Sequence, residues 1–164
     1  MDHAVCAELA WAATREGHPT LRFNFRGVGA SPGSAGGQDA FVQDMEAAWR
    51  VLEQNAGTVA TAVACLGGSA RPLLRFSETH PGLAGLALVS PSGIDVEDLA
   101  RVRHPLLVVA GEKEPLRRAA LAAAVAEASG TLALIPDADA RFHRNLTEVG
   151  RAVARWLAGL SPST

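Results

Sequence analysis

The segment Val63–Pro72, VACLGGSARP, holds the residues of this chain that are best suited to nucleophilic chemistry. It contains a thiol, Cys65, a hydroxyl, Ser69, and two adjacent glycines directly after an apolar run. A serine nucleophile of the G-x-S-x-G type lies on a strained turn from strand to helix, so the residues two positions away must be glycine or very small. Such a nucleophile also needs a histidine and an acid from later in the chain.

Two side chains of this segment compete as nucleophile. With Ser69 as the nucleophile, which is the first choice, Arg71 stands where the second glycine belongs. With Cys65 as the nucleophile, which is the second choice, Val63 stands where the first glycine belongs. A third possibility is that the segment holds no nucleophile at all, and the pattern alone leaves all three open.

The elements that must position these residues alternate between helix and strand. Continuous apolar strands separated by helices predict an α/β fold, with a parallel sheet of about five strands and helices on both faces. We expect a single domain over residues 1–160 and a C-terminal tail over 161–164. The predicted strands lie near residues 20–25, 59–66, 84–90, 105–110 and 131–135, and the predicted helices near 2–16, 38–55, 70–80, 115–129 and 145–160.

Composition argues against several classes of function. A net charge of −2 provides no basic surface for nucleic acid, and the apolar runs are too short for a membrane span. The N-terminal stretch lacks the basic start and cleavage site of a signal peptide, which favours a cytoplasmic protein whose two cysteines stay thiols. The histidines are scattered, so we expect no metal site and no cofactor. The loop RGVGASPG is not a dinucleotide-binding loop, because Pro32 stands where the third glycine belongs.

Three longer segments carry a resemblance to a known family. They are Thr20–Gly33, TLRFNFRGVGASPG; Leu106–Pro115, LLVVAGEKEP; and Ile135–Leu146, IPDADARFHRNL. In order and spacing they resemble the R-F-N-F-R-G-V-G-x-S-x-G, G-E-K-D and I-P-G-A-D-H-F-F-H-G-x-L segments of a group of small bacterial α/β-hydrolase-fold proteins. The resemblance implies a partial α/β-hydrolase fold, and Arg26 is then expected to be held by local carbonyls or acids.

The same resemblance implies roles for single residues. Glu114 stands at the position of the catalytic acid, and Ala140 at that of the catalytic histidine. His143, three residues further on, could serve as the base only if its loop turned differently, and we expect it to lie away from Ser69 and Cys65. The family's usual helix length, counted back from Pro81, points to Gly67, which has no side chain to attack with. The alternative Cys65 register resembles the C-x-G-G elbow of dienelactone hydrolases.

These departures predict a degenerate site and a non-catalytic or weakly active binding or assembly module. The alternative is an active hydrolase of small esters or thioesters that uses Ser69 or Cys65. The family's chain begins some tens of residues earlier, with strands that help to bind the oxyanion, so the chain is expected to be truncated relative to it. We therefore expect Thr20–Phe25 to pair directly with the strand at 59–66, a homodimer in solution, and an ester or another small molecule as ligand.

Overall fold

The computed structural model describes residues 3–57, 60–114 and 118–160. Its sheet contains β1 (Ala62–Leu66), β2 (Gly85–Val89), β3 (Leu106–Gly111) and β4 (Thr131–Ile135). The α-helices are α1 (Ala4–Arg15), α2 (Gln38–Ala56), α3 (Ala70–Glu78), α4 (Val96–Ala100), α5 (Arg118–Glu127) and α6 (Leu146–Gly159), and one 3₁₀ turn covers Gly67–Ser69. The predicted tail at 161–164 lies outside the described residues.

The four strands are all parallel, and they lie side by side in the order of the chain. Each crossover therefore connects neighbouring strands through a helix, as parallel pairing requires. The two central strands, β2 and β3, are buried at every position. Their continuous apolar sequences, GLALV and LLVVAG, are typical of strands that are covered on both faces. The prediction of a parallel α/β sheet is confirmed.

Helices cover both faces of the sheet, and two groups of buried side chains result. The first cluster joins one face of the sheet to α2, α3 and α5, with Phe76 and Leu88 among its buried members. The second cluster joins the other face to α1 and α6, with Val5 and Val149 fully buried. The first and last helices thus share one face of the sheet, as expected from right-handed crossovers.

The predicted strand at Thr20–Phe25 is wrong, because this segment lies outside the sheet and does not form a strand. Its expected direct pairing with β1 within the chain is therefore wrong as well. The cause lies at the end of the segment, where the backbone N–H and guanidinium of Arg26 bind the Asp44 carboxylate on α2. The ring of Phe25 also contacts Phe41 of α2, with 4.8 Å between centroids. These contacts hold the segment to a helix instead of to β1.

One helix was missed by the pattern of apolar residues. Residues 95–98 had the features of a solvated acidic linker, yet α4 begins there. The carboxylate of Asp95 accepts the backbone N–H at Asp98, and the carboxylate of Asp98 accepts the backbone N–H of Asp95. This reciprocal capping box satisfies two donors that a helix start would otherwise leave unpaired.

Candidate active site

The residues that could do chemistry gather at the carboxyl ends of the strands. Gly67 follows β1, Ser90 follows β2, Glu114 comes shortly after β3, and the segment from Asp139 to His143 follows β4. In an open parallel sheet this edge is where ligands bind, because the loops that leave the strands meet there. The topology therefore brings the predicted site residues to one end of the molecule.

Gly67 occupies the turn between β1 and the helix that follows. It has φ +61°, in the left-handed region, and it opens the 3₁₀ turn that continues into α3. A nucleophile elbow places its reactive residue on this kind of sharp, strained strand-to-helix turn. A Cβ added at Gly67 would meet only the Ser92 hydroxyl, at 3.8 Å, so the space above the turn is open. Gly67, the residue at this turn, carries no side chain.

Ser69 and Cys65 lie on either side of that turn. Ser69 has ordinary right-handed backbone angles, φ −73° and ψ −4°, and among the described residues its hydroxyl makes no hydrogen bond. Cys65 is buried and belongs to the first cluster. Burial raises the pKa of the Cys65 thiol, and the neighbouring Cys6 raises it further. Because the thiolate is the reactive form of cysteine, Cys65 is disfavoured as a nucleophile.

Glu114, the expected acid, is buried and already bound. One carboxylate oxygen accepts the Ser90 hydroxyl at 2.5 Å and the backbone N–H of Gly111 at 2.6 Å. Ser90 itself has φ +41° and is buried at the end of β2. The Glu114 carboxylate therefore ties the end of β2 to the end of β3. No hydrogen bond or ion pair joins it to His143 within the described part of the chain.

His143, the candidate base, is exposed and bound to an acid other than Glu114. Its Nδ1–H donates to the Asp139 carboxylate at 2.7 Å, and the same carboxylate accepts the backbone N–H groups of Arg141 and His143. The hydrogen bond from the imidazole, with the two from the backbone, lowers the pKa of Asp139 to about 2. In the described residues His143 makes no hydrogen bond to Ser69 or Cys65. Ala140, at the position of the family's histidine, is exposed.

The two loops beside these residues are clamped to each other. Asp137 forms ion pairs with Lys113 from the loop after β3 and with Arg144 ahead of α6. Both cations lower the pKa of the Asp137 carboxyl, Lys113 by the larger amount. The backbone N–H of Lys113 donates to the carbonyl of Ala138 at 2.9 Å. Ion pairs and a backbone hydrogen bond therefore hold the rim on this side of the site.

The glycine-rich loop is anchored by one arginine. Arg26 donates from Nε and Nη2 to the same Asp44 oxygen, at 2.8 and 2.6 Å, and its backbone N–H donates to the other oxygen at 2.8 Å. In the loop that follows, Gly27 has φ +70°, and a Cβ at this residue would collide with the backbone of Ser34 and Ala35. The expectation that an acid holds Arg26 agrees with this contact.

Two serines of the site were missed in the sequence. Ser90 holds Glu114, and Ser92 lies over the turn, where its backbone N–H donates to the carbonyl of Gly67 at 3.1 Å. Both lie within three residues of the end of the apolar strand β2, and that position could have identified them, because the carboxyl ends of parallel strands form the binding edge. No described helix is long and apolar enough to cross a membrane. Over the same residues, histidine, cysteine, aspartate and glutamate form no cluster that could hold a metal ion.

No protein-family model and no curated protein sequence matches the chain. Solved structures do match it. An α/β serine hydrolase homologue from Coxiella burnetii is 27% identical with a TM-score of 0.81, over 94% of this chain and 76% of that one. An α/β serine hydrolase without a lid from Xanthomonas campestris is 26% identical with a TM-score of 0.84, over 100% of this chain and 77% of that one.

A third match has the same TM-score as the Xanthomonas campestris protein at a lower sequence identity. Est1E from Butyrivibrio proteoclasticus, solved with ferulic acid bound, is 13% identical with a TM-score of 0.84, over 97% of this chain and 84% of that one. At that identity the likeness concerns the fold alone. The parallel sheet and its helices on both faces thus match the fold of these α/β serine hydrolases.

Proposed function

We propose that this chain is a non-catalytic α/β-hydrolase-fold domain of the cytoplasm, which is retained as a binding or assembly module. The observation that carries the proposal is the glycine at the left-handed turn after β1. A hydrolase of this fold attacks its substrate from that position. At that position Gly67 has only backbone atoms, and the space beside it is open. This arrangement suits the binding of a small ligand, such as an ester, without cleavage of the ligand.

The separation of acid and base also supports this proposal. A triad needs one histidine between the nucleophile and the acid, each within about 2.6–3.2 Å of its partner. In this chain Glu114 is bound by Ser90, and His143 is bound by Asp139. The loss of the base histidine costs a serine triad on the order of 10⁶ in rate.

The second candidate function is slow hydrolysis of small esters or thioesters by Ser69. This alternative is favoured by the half-buried position of Ser69 in the turn and by its hydroxyl, which has no hydrogen bond among the described residues. Cys65 is the weaker choice, because burial raises the pKa of its thiol. The matched structures include proteins described as serine hydrolases and an esterase domain, which supports a hydrolytic reaction in that case.

The two candidates differ in their response to an active-site probe. The wild-type chain, Ser69→Ala and Cys65→Ala are incubated with a fluorophosphonate and with nitrophenyl acetate. We expect no turnover above the blank and no adduct at residue 69 by mass spectrometry. Turnover that is abolished by Ser69→Ala alone would establish the hydrolase and contradict the binding module.

A restoration experiment tests the assignment of Gly67 to the nucleophile position. In the double variant Gly67→Ser with Ala140→His, the new hydroxyl has open space, and the new imidazole stands at the family's histidine position. We expect fluorophosphonate to label residue 67 at least tenfold faster than it labels any serine of the wild type.

The matched control is Gly68→Ser with Ala140→His. A Cβ at Gly68 is also in open space, 3.9 Å from the Ser92 hydroxyl, but Gly68 lacks the left-handed backbone of the turn. Equal labelling of the two variants would show that the turn does not present residue 67 as a nucleophile.

A further inference from the structure

A cleft lies between α6 and the amino ends of β3 and β4. Its volume is about 490 Å³, and small-molecule sites in proteins typically measure about 300–1,000 Å³. Pro105 just before β3, Thr131 at the start of β4 and Gly159 at the end of α6 are among the residues that line it. Gly67 lies at the opposite ends of the strands, so the cleft is separate from the candidate active site.

Small residues on both walls create the space. Ala133 on β4 and Ala152 on α6 line the cleft, and so does Gly159. Because none of these residues reaches across to the opposite wall, β4 and α6 leave a gap between them. Trp156 also lines the cleft, and a Cβ at Gly85 would meet its ring at 2.6 Å, so the ring lies directly against the backbone of β2. The cleft therefore has room for a flat apolar group next to an aromatic ring.

The polar groups of the cleft are one cation and two hydroxyls. Arg155 is exposed, and its Nε donates to the carbonyl of Arg151 at 3.3 Å. Among the described residues Arg155 forms no ion pair, and the hydroxyls of Ser129 and Thr131 form no hydrogen bond. None of the described residues that line the cleft is an aspartate or a glutamate. An anion in the cleft would therefore meet a cation and hydroxyl donors, without a carboxylate in the lining to repel it.

We propose that this cleft binds a small aromatic carboxylate. The ring of the ligand lies against Trp156, and its carboxylate pairs with Arg155. A guanidinium can donate two parallel N–H groups to a carboxylate, which adds direction to the attraction between the charges. A neutral ligand lacks this pair, and a cationic ligand is repelled by Arg155. The proposal does not depend on catalysis or on binding at Gly67, because the two sites share no residue.

Two probes of similar shape test the role of charge. Benzoate and benzamide both carry a flat ring, but only benzoate is an anion at neutral pH. The chain contains three tryptophans, and each gives one indole N–H signal in a proton–nitrogen correlation spectrum, assigned by single tryptophan-to-phenylalanine variants. We expect benzoate to move the Trp156 signal in a saturable way, with an affinity about fivefold or more above that of benzamide at low salt. The signals of Trp11 and Trp49, which lie outside the cleft, should stay in place.

Arg155→Gln should lower the affinity for benzoate to the level of benzamide and leave the affinity for benzamide unchanged. The matched control is Arg151→Gln, one turn earlier on α6, because the Arg151 guanidinium pairs with Glu148 and does not line the cleft. This control should bind benzoate as the wild type does. A Trp156 signal that benzoate does not move, equal affinities for the two probes, or an equal loss in the two arginine variants would overturn the proposal.

Discussion

The Ser90 hydroxyl donates a hydrogen bond to the buried carboxylate of Glu114, the residue expected as the acid. The two side chains belong to different strand ends, so their hydrogen bond fixes the spacing of β2 and β3 at the candidate site. A buried carboxylate that loses a donor keeps its cost of desolvation, because water cannot replace the missing hydrogen bond. The contact therefore contributes to stability as well as to the arrangement of the site.

We expect Ser90→Ala to lower the free energy of unfolding by about 1–3 kcal/mol, because among the described residues the Glu114 carboxylate then keeps only the hydrogen bond from the Gly111 N–H. Urea unfolding followed by circular dichroism measures the change. The control is Ser92→Ala, an exposed serine two residues away, whose effect should stay within about 0.5 kcal/mol. Equal effects of the two variants would contradict a structural role for the buried hydrogen bond.

For single residues, the sequence indicated which positions belong to the candidate site, but it did not indicate the backbone conformation at those positions. Ser69 was the first choice as nucleophile because it is the hydroxyl of the segment, whereas the count back from Pro81 pointed to Gly67. The left-handed backbone that distinguishes these two residues depends on where the strand ends, which the motif does not show. The partner of Glu114 could not be predicted, because Ser90 lies 24 residues away and meets it only through the sheet.

Among the elements, the loop from Arg26 to Gly37 depends on its anchor to α2. Hydrogen bonds from Arg26 lower the pKa of the Asp44 carboxyl below its ordinary value. A group whose pKa is lower in the folded state stabilises fully above its unfolded pKa of about 3.9, and this contribution is lost as the pH falls through the folded pKa. The anchor should therefore weaken in acid.

We expect Asp44→Asn to be less stable than the wild type at pH 6, and the difference to shrink at pH 3 and below. The measurement is the urea midpoint of both proteins across this range. Asp39→Asn serves as the control, because Asp39 is 80% exposed and its pair with Arg75 should contribute little at any pH. A difference between Asp44→Asn and wild type that stays constant with pH would contradict the ionised anchor.

Helices and strands were predicted more accurately where their apolar residues form a clearer pattern. The strands at 85–89 and 106–111 are continuous apolar runs, and the helix at 146–159 repeats leucine, valine and tryptophan at helical spacing, so all three were found nearly in full. Residues 20–25 show an equally good strand pattern, but a strand also needs a neighbour to bond with. The sequence of the segment could not show that its end would be bound to α2 instead of to a strand.

At the scale of the whole molecule, one sheet supports both clusters. Leu86 and Leu88 point into the first cluster and Ala87 and Val89 into the second, so the same two strands are needed by each. The loss of packing on one face should therefore expose the other face. This arrangement predicts cooperative unfolding of both faces.

The tryptophans provide a test of that cooperativity. Trp49 packs against the first cluster and Trp156 against the second, whereas Trp11 is 54% exposed. Two variants each keep one of these two partly buried tryptophans and replace the other two tryptophans by phenylalanine. We expect the urea midpoint from fluorescence to coincide with the midpoint from circular dichroism in each variant. Separate midpoints for the two probes in one variant would show that the faces unfold independently.

The packing of α1 on α6 also has a consequence for how the chain is made. The buried side of α1, with Val5 and Leu9, packs against the last helix, which the ribosome completes about 145 residues after the end of α1. At about 5–20 residues per second this interval is on the order of ten seconds. For that time the part of α1 that α6 covers stays exposed, while the strands are made one after another. Nascent α1 is thus the segment of this chain that a chaperone would hold longest.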